Sequence, residues 1–294
     1  MITAGLIAQQ QLLIPSGGGG TLWTPLNMGT VPAIYLHMNE SVITDVSGSA
    51  SAVGNLGSLG SDGDFSQSVS GNRPLILNNE LNGKRVLRFD GSNDVLVCAS
   101  TAARDLFRNK QAAWAFFVYK KRGTDTTATA RYLLYAAKND GAVRFGVLSA
   151  DSASGRANKP LMYARRLDTD AVAQLDSPNA RSGSYVMAMH SATFSTRAGL
   201  IRENGSIAAS NATLTSSGGA TTSDTAAAVG TPLAIGAFHS GALPSDVDLA
   251  AVVIGNAPLL AGEAERLEGW AADQWAMRSV LPSDHPYKAS PPTI

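Results

Sequence analysis

The chain has 294 residues, 44% of them hydrophobic, enough for one large domain with a substantial core or for two average ones. Lys plus Arg and Asp plus Glu each number 23, so the formal net charge is zero, and no stretch interleaves basic with aromatic residues, which argues against a nucleic-acid partner. The single Cys98 excludes an intrachain disulfide framework, and its place in an apolar run reads as a small buried hydrophobe.

The first twenty residues, "MITAGLIAQQQLLIPSGGGG", lack a basic leading region and have their apolar run broken by three glutamines. Nothing in them approaches the ~20 apolar residues of a membrane span, so neither a signal peptide nor a transmembrane helix is expected. "SGGGG", Ser16 to Gly20, reads as a spacer, because glycine resists ordering, and it sets a short apolar arm apart from the rest. Leu6, Ile7, Leu12, Leu13 and Ile14 in that arm are candidate anchors for assembly on a neighbouring subunit. The division expected is an arm and spacer over 1–30, one domain over 31–280 and a proline-rich tail over 281–294.

From Thr21 to Arg73 the chain is rich in Gly, Ser and Asn, with short apolar patches "VPAIYLHM" and "SVITDV" that suit edge strands joined by long loops. The middle carries strand signals more densely: "KRVLRF", "DVLVCA", "AAWAFFVYKK", "RYLLYAA", "AVRFGVLSA", "KPLMYARR", "SYVMAMHSATF" and "RAGLIREN", each rich in β-branched or aromatic residues and bounded by turn signals. In "AWAFFVYKK", Trp114, Phe116 and Val118 alternate with Ala115, Phe117 and Tyr119, so both faces are apolar, as in a central strand covered on both sides. Asn204-Gly205 tolerates the positive φ values of a type I′ turn and predicts a hairpin. A low-complexity loop, "SSGGATTSDTAAAVGTP", precedes two further strands, "LAIGAF" and "DLAAVVIGNAPL".

The period then changes from two to 3.6. Leu260, Ala264, Leu267, Ala271 and Trp275 share one stripe with Trp270 beside it, which predicts a helix over 261–278. Pro282 ends it, and "LPSDHPYKASPPTI" is expected to run extended over the surface. Many short strands without βαβ alternation, and one late helix, predict an all-β two-sheet antiparallel jelly-roll sandwich with one C-terminal α-helix and extended ends.

Candidate sites are sparse. Asp90 and Asp94 flank a Gly-Ser-Asn turn between two strands. A structural corner accounts for every residue type there, and calcium is the functional alternative, needing six or more oxygens that could include Asp62 or Asp64. The E-x-D-x-x-E pattern that would mark a sandwich glycosidase is absent, and the acids of "GEAERLEG" read as the solvated face of the helix. Tyr163 to Arg166, "YARR", offers residue types used by polysaccharide lyases without a partner motif. His37, His190, His239 and His285 are too scattered for a metal spacing, and no nucleotide-binding glycine pattern occurs. Trp23, Tyr35 and Tyr163 are the candidate exposed rings for stacking on a sugar, whereas Trp114, Trp270 and Trp275 read as core. No catalytic residue and no cofactor beyond that candidate calcium is expected.

Two segments carry a resemblance. "LNGKRVLRFDGSNDVL", Leu81 to Leu96, and "LLAGEAERLEGWAADQWAMRSVLPSDHPYKASPP", Leu259 to Pro292, are similar to the concanavalin A-like lectin/glucanase sandwich domains of laminin-G type found in bacteriophage tail and other virion proteins. "LAIGAFHSGALPSDVDLAAVVIGNAPL" stands between them where that family has its late strands. Trp270 stands for the usual Tyr, and Ala261 occupies the place of a helix N-cap Ser, at an expected cost of roughly 1 kcal/mol. The resemblance implies a non-enzymatic virion structural protein of tail, baseplate or fibre, made in the host cytoplasm. It would assemble with other virion proteins, as a homo-oligomer within the particle, and contact host surface polysaccharide. The alternative it implies is a carbohydrate-binding receptor-recognition module, with a glycan-degrading enzyme of the same fold behind it.

Overall fold

The computed structural model describes residues 20–123, 130–138, 143–151, 158–181, 183–215, 217–219, 221–222 and 230–294. The arm anchors Leu6, Ile7, Leu12, Leu13 and Ile14 lie outside the described residues, as does most of the low-complexity loop.

Among the described residues there are seventeen strands. In the first third of the chain they are β1 (Ile34–His37), β2 (Ile43–Val46), β3 (Ser49–Val53), β4 (Phe65–Ser66), β5 (Leu75–Leu81), β6 (Lys84–Asp90) and β7 (Leu96–Cys98). A single-turn helix α1 (Thr101–Arg104) leads to β8 (Ala112–Lys121), β9 (Ala130–Ala137), β10 (Val143–Asp151), β11 (Leu161–Ala164) and β12 (Ala173–Asp176). The last strands are β13 (Tyr185–Thr193), β14 (Ala198–Glu203), β15 (Ser206–Asn211), β16 (Leu233–Ile235) and β17 (Asp246–Gly255), and the long helix α2 (Glu263–Gln274) follows them.

Every pairing between these strands is antiparallel, and together they make one large, nearly closed sheet. One stretch runs β15-β14-β13-β8-β17 and then divides, because β1 pairs with residues 251–254 of β17 and β6 with residues 246–249. The register of β17 against β8 shifts between Leu249 and Ala251, at the point where one neighbour hands over to the other. A bulge there bends β17 and lets it serve two partners on one edge. The other stretch runs β12-β11-β10-β9-β16-β7-β4-β3-β2. A single β3–β5 pair, Ser49 with Leu75, joins the two.

Side-chain alternation distributes the apolar residues over three clusters. Phe117, Tyr119 and Leu249 from the first stretch meet Phe65, Leu133 and Phe145 from the second in the largest core. On the opposite face of the first stretch, Tyr35, Trp114, Phe116 and Met187 pack with Leu267, Trp270 and Trp275 at the C-terminal helix. β8 is therefore central and covered on both faces, as its sequence predicts. Trp114, Trp270 and Trp275 are core as expected, whereas Trp23 and Tyr35, expected at the surface, are 4% and 2% exposed. The Trp23 amide donates to Pro292 O at 3.0 Å, and Tyr35 meets Trp270 edge-on at 5.7 Å.

The Asn204-Gly205 hairpin forms as predicted, with φ values of 50° and 88°. Helix α2 is shorter than 261–278, and its ends differ from expectation. Its N-cap is Gly262, and Ala261 has no capping role; the Glu263 carboxylate reaches back to accept the amides of Leu260 and Gly29, both at 2.8 Å. Leu260 falls outside the helix and is 58% exposed, so it leaves the stripe whose other members are packed. At the far end Ala276 takes φ 54°, and the Met277 amide bonds Ala272 O at 2.8 Å, which closes a Schellman turn.

The acids of "GEAERLEG" are not a solvated face, since Glu263 and Glu268 are buried and hydrogen-bonded. Nor does the segment 281–294 run free. His285 is buried against Glu268 at 3.2 Å, Lys288 Nζ donates to the carbonyls of Arg278, Ser279 and Leu281, and Leu22 bridges to Thr293. The prolines forbid a helix, and these side-chain anchors strap the segment across α2.

Candidate functional site

The Asp90–Asp94 corner is satisfied by the chain itself. Asp90 Oδ1 accepts the amides of Ser92 at 2.7 Å and Asn93 at 3.3 Å, and Asp94 Oδ2 accepts the Asp90 amide at 2.8 Å. Gly91 turns with φ 78°, and a Cβ there would stand 2.8 Å from Asp246 Cβ. Burial pushes the Asp94 carboxyl up to about 6, with the Asp90 charge adding to it and Arg122 opposing. Asp64 is spent on the Asn55 amide at 2.7 Å, and no group of three or more His, Cys, Asp or Glu among the described residues could hold a metal ion. The carboxylates of this corner are engaged by backbone amides of the turn.

The four histidines do not converge. His37 stacks on Trp275 at 4.8 Å, and burial drives its pKa down to about 3. His190 is fully enclosed between the two stretches of sheet, with neither ring nitrogen hydrogen-bonded, and burial lowers it to about 4. Tyr163 is half-buried on β11 beside Tyr132, with ring centres 6.5 Å apart. Its neighbours in "YARR" are engaged elsewhere, Arg165 with Asp168 O at 3.3 Å and Arg166 with Ser217 Oγ at 3.4 Å.

The concavity lies where sequence reasoning had not looked, on the face of β8, β13 and β14 that also carries α2. A groove of about 320 Å³ opens there, a size within the usual range for small-molecule sites, roughly 300–1,000 Å³. Its floor follows from strand register. Phe116, Met189 and Arg202 stand abreast on the three strands, then Trp114, Ser191 and Leu200, then Ala112, Thr193 and Ala198. Along β13 the residues of this face change from methionine to hydroxyl, and the outermost rung is small throughout, so the sheet surface falls away beside Trp114. Pro258, Leu259, Ala264 and Glu265 form the facing wall.

Trp114 is held by its environment. Its Nε1 donates to Ala257 O at 2.9 Å, and the indole lies where a Cβ on Gly255 would be, 2.2 Å from Trp114 Cζ2. Only glycine at 255 admits the ring. At one end of the groove Arg202 is held by two carboxylates. Its Nε and Nη2 bond Glu268 at 2.9 and 2.8 Å, and its Nη1 lies 3.1 Å from Glu265 Oε1. The hydrogen bonds and charges of these partners hold the guanidinium pKa above its ordinary value despite its burial. The arrangement offers an apolar floor, two hydroxyls and one fixed charged wall. It holds no aligned nucleophile and base. The strand alternation in "SYVMAMHSATF" was the one sequence signal for this surface, since it places Met187, Met189, Ser191 and Thr193 on one face.

No family model matches the sequence, and no curated protein matches it. In fold, the chain is similar to domain 4 of an extracellular GH43 arabinanase from Geobacillus stearothermophilus, solved in complex with arabinotriose. The TM-score is 0.50 at 11% identity, over 82% of this chain and 99% of that one. It is also similar to Trypanosoma rangeli sialidase solved with sialic acid, with a TM-score of 0.53 at 12% identity over 92% of this chain and 36% of that one. A further structure of Trypanosoma rangeli sialidase gives 0.50 at 12% identity, over 85% and 33%. The chain thus spans about a third of the sialidase chains and nearly all of the arabinanase domain.

Proposed function

We propose that this protein is a non-enzymatic carbohydrate-binding module whose ligand lies in the groove beside Trp114, and that its two stretches of sheet are the two layers of a jelly-roll sandwich. The layer reading is supported by the single Ser49–Leu75 pair that joins the stretches and by the core that both share. The observation that carries the binding reading is the groove itself, an apolar floor on three strand registers with hydroxyls and a fixed charged wall. Sugars need that combination, because each ring presents an apolar C–H face and a rim of hydroxyls. The fold likeness points the same way. The arabinanase domain matched over its full length was solved with arabinotriose, whereas the sialic acid in the sialidase structure belongs to a chain of which this protein matches only about a third.

Isothermal titration with neutral oligosaccharides at millimolar concentration tests the reading. Ser191→Trp and Ala198→Trp, which fill the groove, should each abolish binding, and Tyr163→Ala on the other stretch should leave it unchanged. Binding that survives both tryptophans would place the ligand elsewhere. Release of reducing ends from any of these oligosaccharides would overturn the non-enzymatic assignment. The phage-particle assembly implied by the sequence resemblance finds no support in the structural comparisons, which favour sugar binding.

A further inference from the structure

We infer that the groove discriminates by charge, accepting uncharged saccharides and turning away anionic ones, with Glu265 as the residue that sets the preference. The inference rests on the groove being a sugar site and adds the class of sugar. Among the described residues Arg202 is the only cation lining the groove, and it is spent. Two of its nitrogens are bonded to Glu268, which is itself buried, and a third faces Glu265. His285 packs behind this wall, its Nδ1 accepting the Tyr287 amide at 3.2 Å and its Nε2 lying 3.2 Å from Glu268 Oε2. One guanidinium thus faces two carboxylates, with Glu268 behind the wall and Glu265 on it.

The carboxylate that meets the groove is that of Glu265. Glu268 is enclosed, with its side chain 1% exposed, whereas that of Glu265 is 30% exposed and lines the groove. Its Oε1 faces Arg202, and among the described residues no protein donor is hydrogen-bonded to its other oxygen, so it can accept from a sugar hydroxyl; a carboxylate accepts such bonds more strongly than a neutral group does. A ligand carboxylate or sulfate brought to the same wall would meet like charge in a partly desolvated setting, with the only guanidinium already committed. Neutral sugars gain a charged acceptor there, and acidic sugars gain repulsion.

The test is calorimetric titration of the intact protein at low ionic strength with arabinotriose as the neutral probe and trigalacturonate as the anionic one, repeated on Glu265→Gln. The amide keeps the shape of the side chain, and Arg202 keeps Glu268, so the fold should hold; a denaturation curve checks it. Wild type should bind arabinotriose at least tenfold more tightly than trigalacturonate, and Glu265→Gln should bring the two within about threefold, chiefly by weakening the neutral ligand. Equal binding of the two by wild type, tighter binding of the anion, or a ratio unmoved in Glu265→Gln would overturn the inference and leave the sugar site standing. If neither ligand nor any other neutral oligosaccharide binds, the sugar reading itself falls.

Discussion

Arg202 on β14 and Glu268 on α2 form a two-pronged ion pair, Nε to Oε1 at 2.9 Å and Nη2 to Oε2 at 2.8 Å, with side chains 10% and 1% exposed. This pair fixes the position of the helix over the sheet, and with it the wall of the groove. Glu268→Ala removes one partner and leaves the other charge enclosed, a change that costs about 3–5 kcal/mol in buried pairs. The residual contact with Glu265 at 3.1 Å sets the expectation at the lower end, about 3 kcal/mol by urea denaturation. A loss below about 1 kcal/mol would show that the helix is held by its tryptophans alone.

Helix α2 ends on a residue poorly suited to the conformation it adopts. Ala276 sits at φ 54°, the left-handed position of a Schellman turn that glycine usually fills. A Cβ in that region costs roughly 1–2 kcal/mol, so Ala276→Gly is expected to stabilise the protein by about 1 kcal/mol, part of the gain being lost to the freer unfolded chain. Thermal unfolding measures it, and an unchanged or lower midpoint would contradict the turn geometry.

Acid should destabilise the fold through its enclosed histidines. His37 and His190 have folded pKa values of about 3 and 4, below the ordinary 6.5, so they stay neutral in the fold while the unfolded chain takes up protons. Their contribution is intact above pH 6.5 and is lost progressively as pH falls towards those folded values, at about 1.4 kcal/mol per pH unit for each ring. Asp94 acts in the opposite sense. Its folded pKa of about 6 lies above the ordinary 3.8, so its stabilising contribution is complete below pH 3.8 and is lost as pH rises through 6. In the same range Glu40, whose carboxyl burial also raises, acts with Asp94, so the two carboxyls offset part of the loss from the two rings. His190→Leu should make the loss of stability on acidification smaller by about one ring's share and, because neither ring nitrogen of His190 has a partner, cost nothing at pH 7. A slope in the variant equal to that of wild type would rule out His190 as a source.

Gly255 is the hinge of the groove floor. An alanine Cβ there would fall inside the Trp114 ring, 2.2 Å from Cζ2 and 2.4 Å from Cε2. Backbone and indole would both have to move, an overpacking cost of about 1–3 kcal/mol. Gly255→Ala should therefore lower stability by about 2 kcal/mol, shift the tryptophan fluorescence maximum, and weaken sugar binding together with it. Normal binding in a destabilised Gly255→Ala would separate the floor from the ligand.

The strands were legible in the sequence wherever alternation or an apolar run was clean. β8, with apolar residues on both faces, reads as central and is central, and Asn204-Gly205 marks the hairpin that forms. The helix ends were not, because the local rules were met by unexpected residues. Glu263 reaches back in place of an N-cap side chain, and Ala276 stops the helix where no glycine announces it. The candidate sugar rings Trp23 and Tyr35 are buried for a tertiary reason, since the segment 281–294 and α2 close over them, and aromatic composition carries no record of what covers a ring. The groove was hidden for a related reason. It depends on three strands in register placing small residues side by side, and Thr193 and Ala198 are neighbours only through the β13–β14 pairing.

The β14–β15 hairpin makes a separate demand on Gly205. The residue has φ 88°, which a side chain rarely adopts, and a Cβ on it would stand 2.7 Å from Pro282 Cδ, 2.9 Å from His285 Cδ2 and 3.0 Å from Leu281 Cδ2. The hairpin turn is thus the seat on which the last residues rest, so one substitution tests both. Gly205→Ala must bear the left-handed cost, roughly 1–2 kcal/mol, and must also push the strap outward. Because His285 is held by Glu268 and Lys288 by three carbonyls, displacing the strap releases those contacts as well. The expected loss is about 3 kcal/mol, with protease cleavage appearing within residues 281–294 before the sheet unfolds. Gly205→Asn keeps a residue tolerant of positive φ but retains the clash, so it should expose the strap with a smaller loss of stability. If both variants resist cleavage as wild type does, the strap does not depend on the hairpin, and the tail is held by its own anchors.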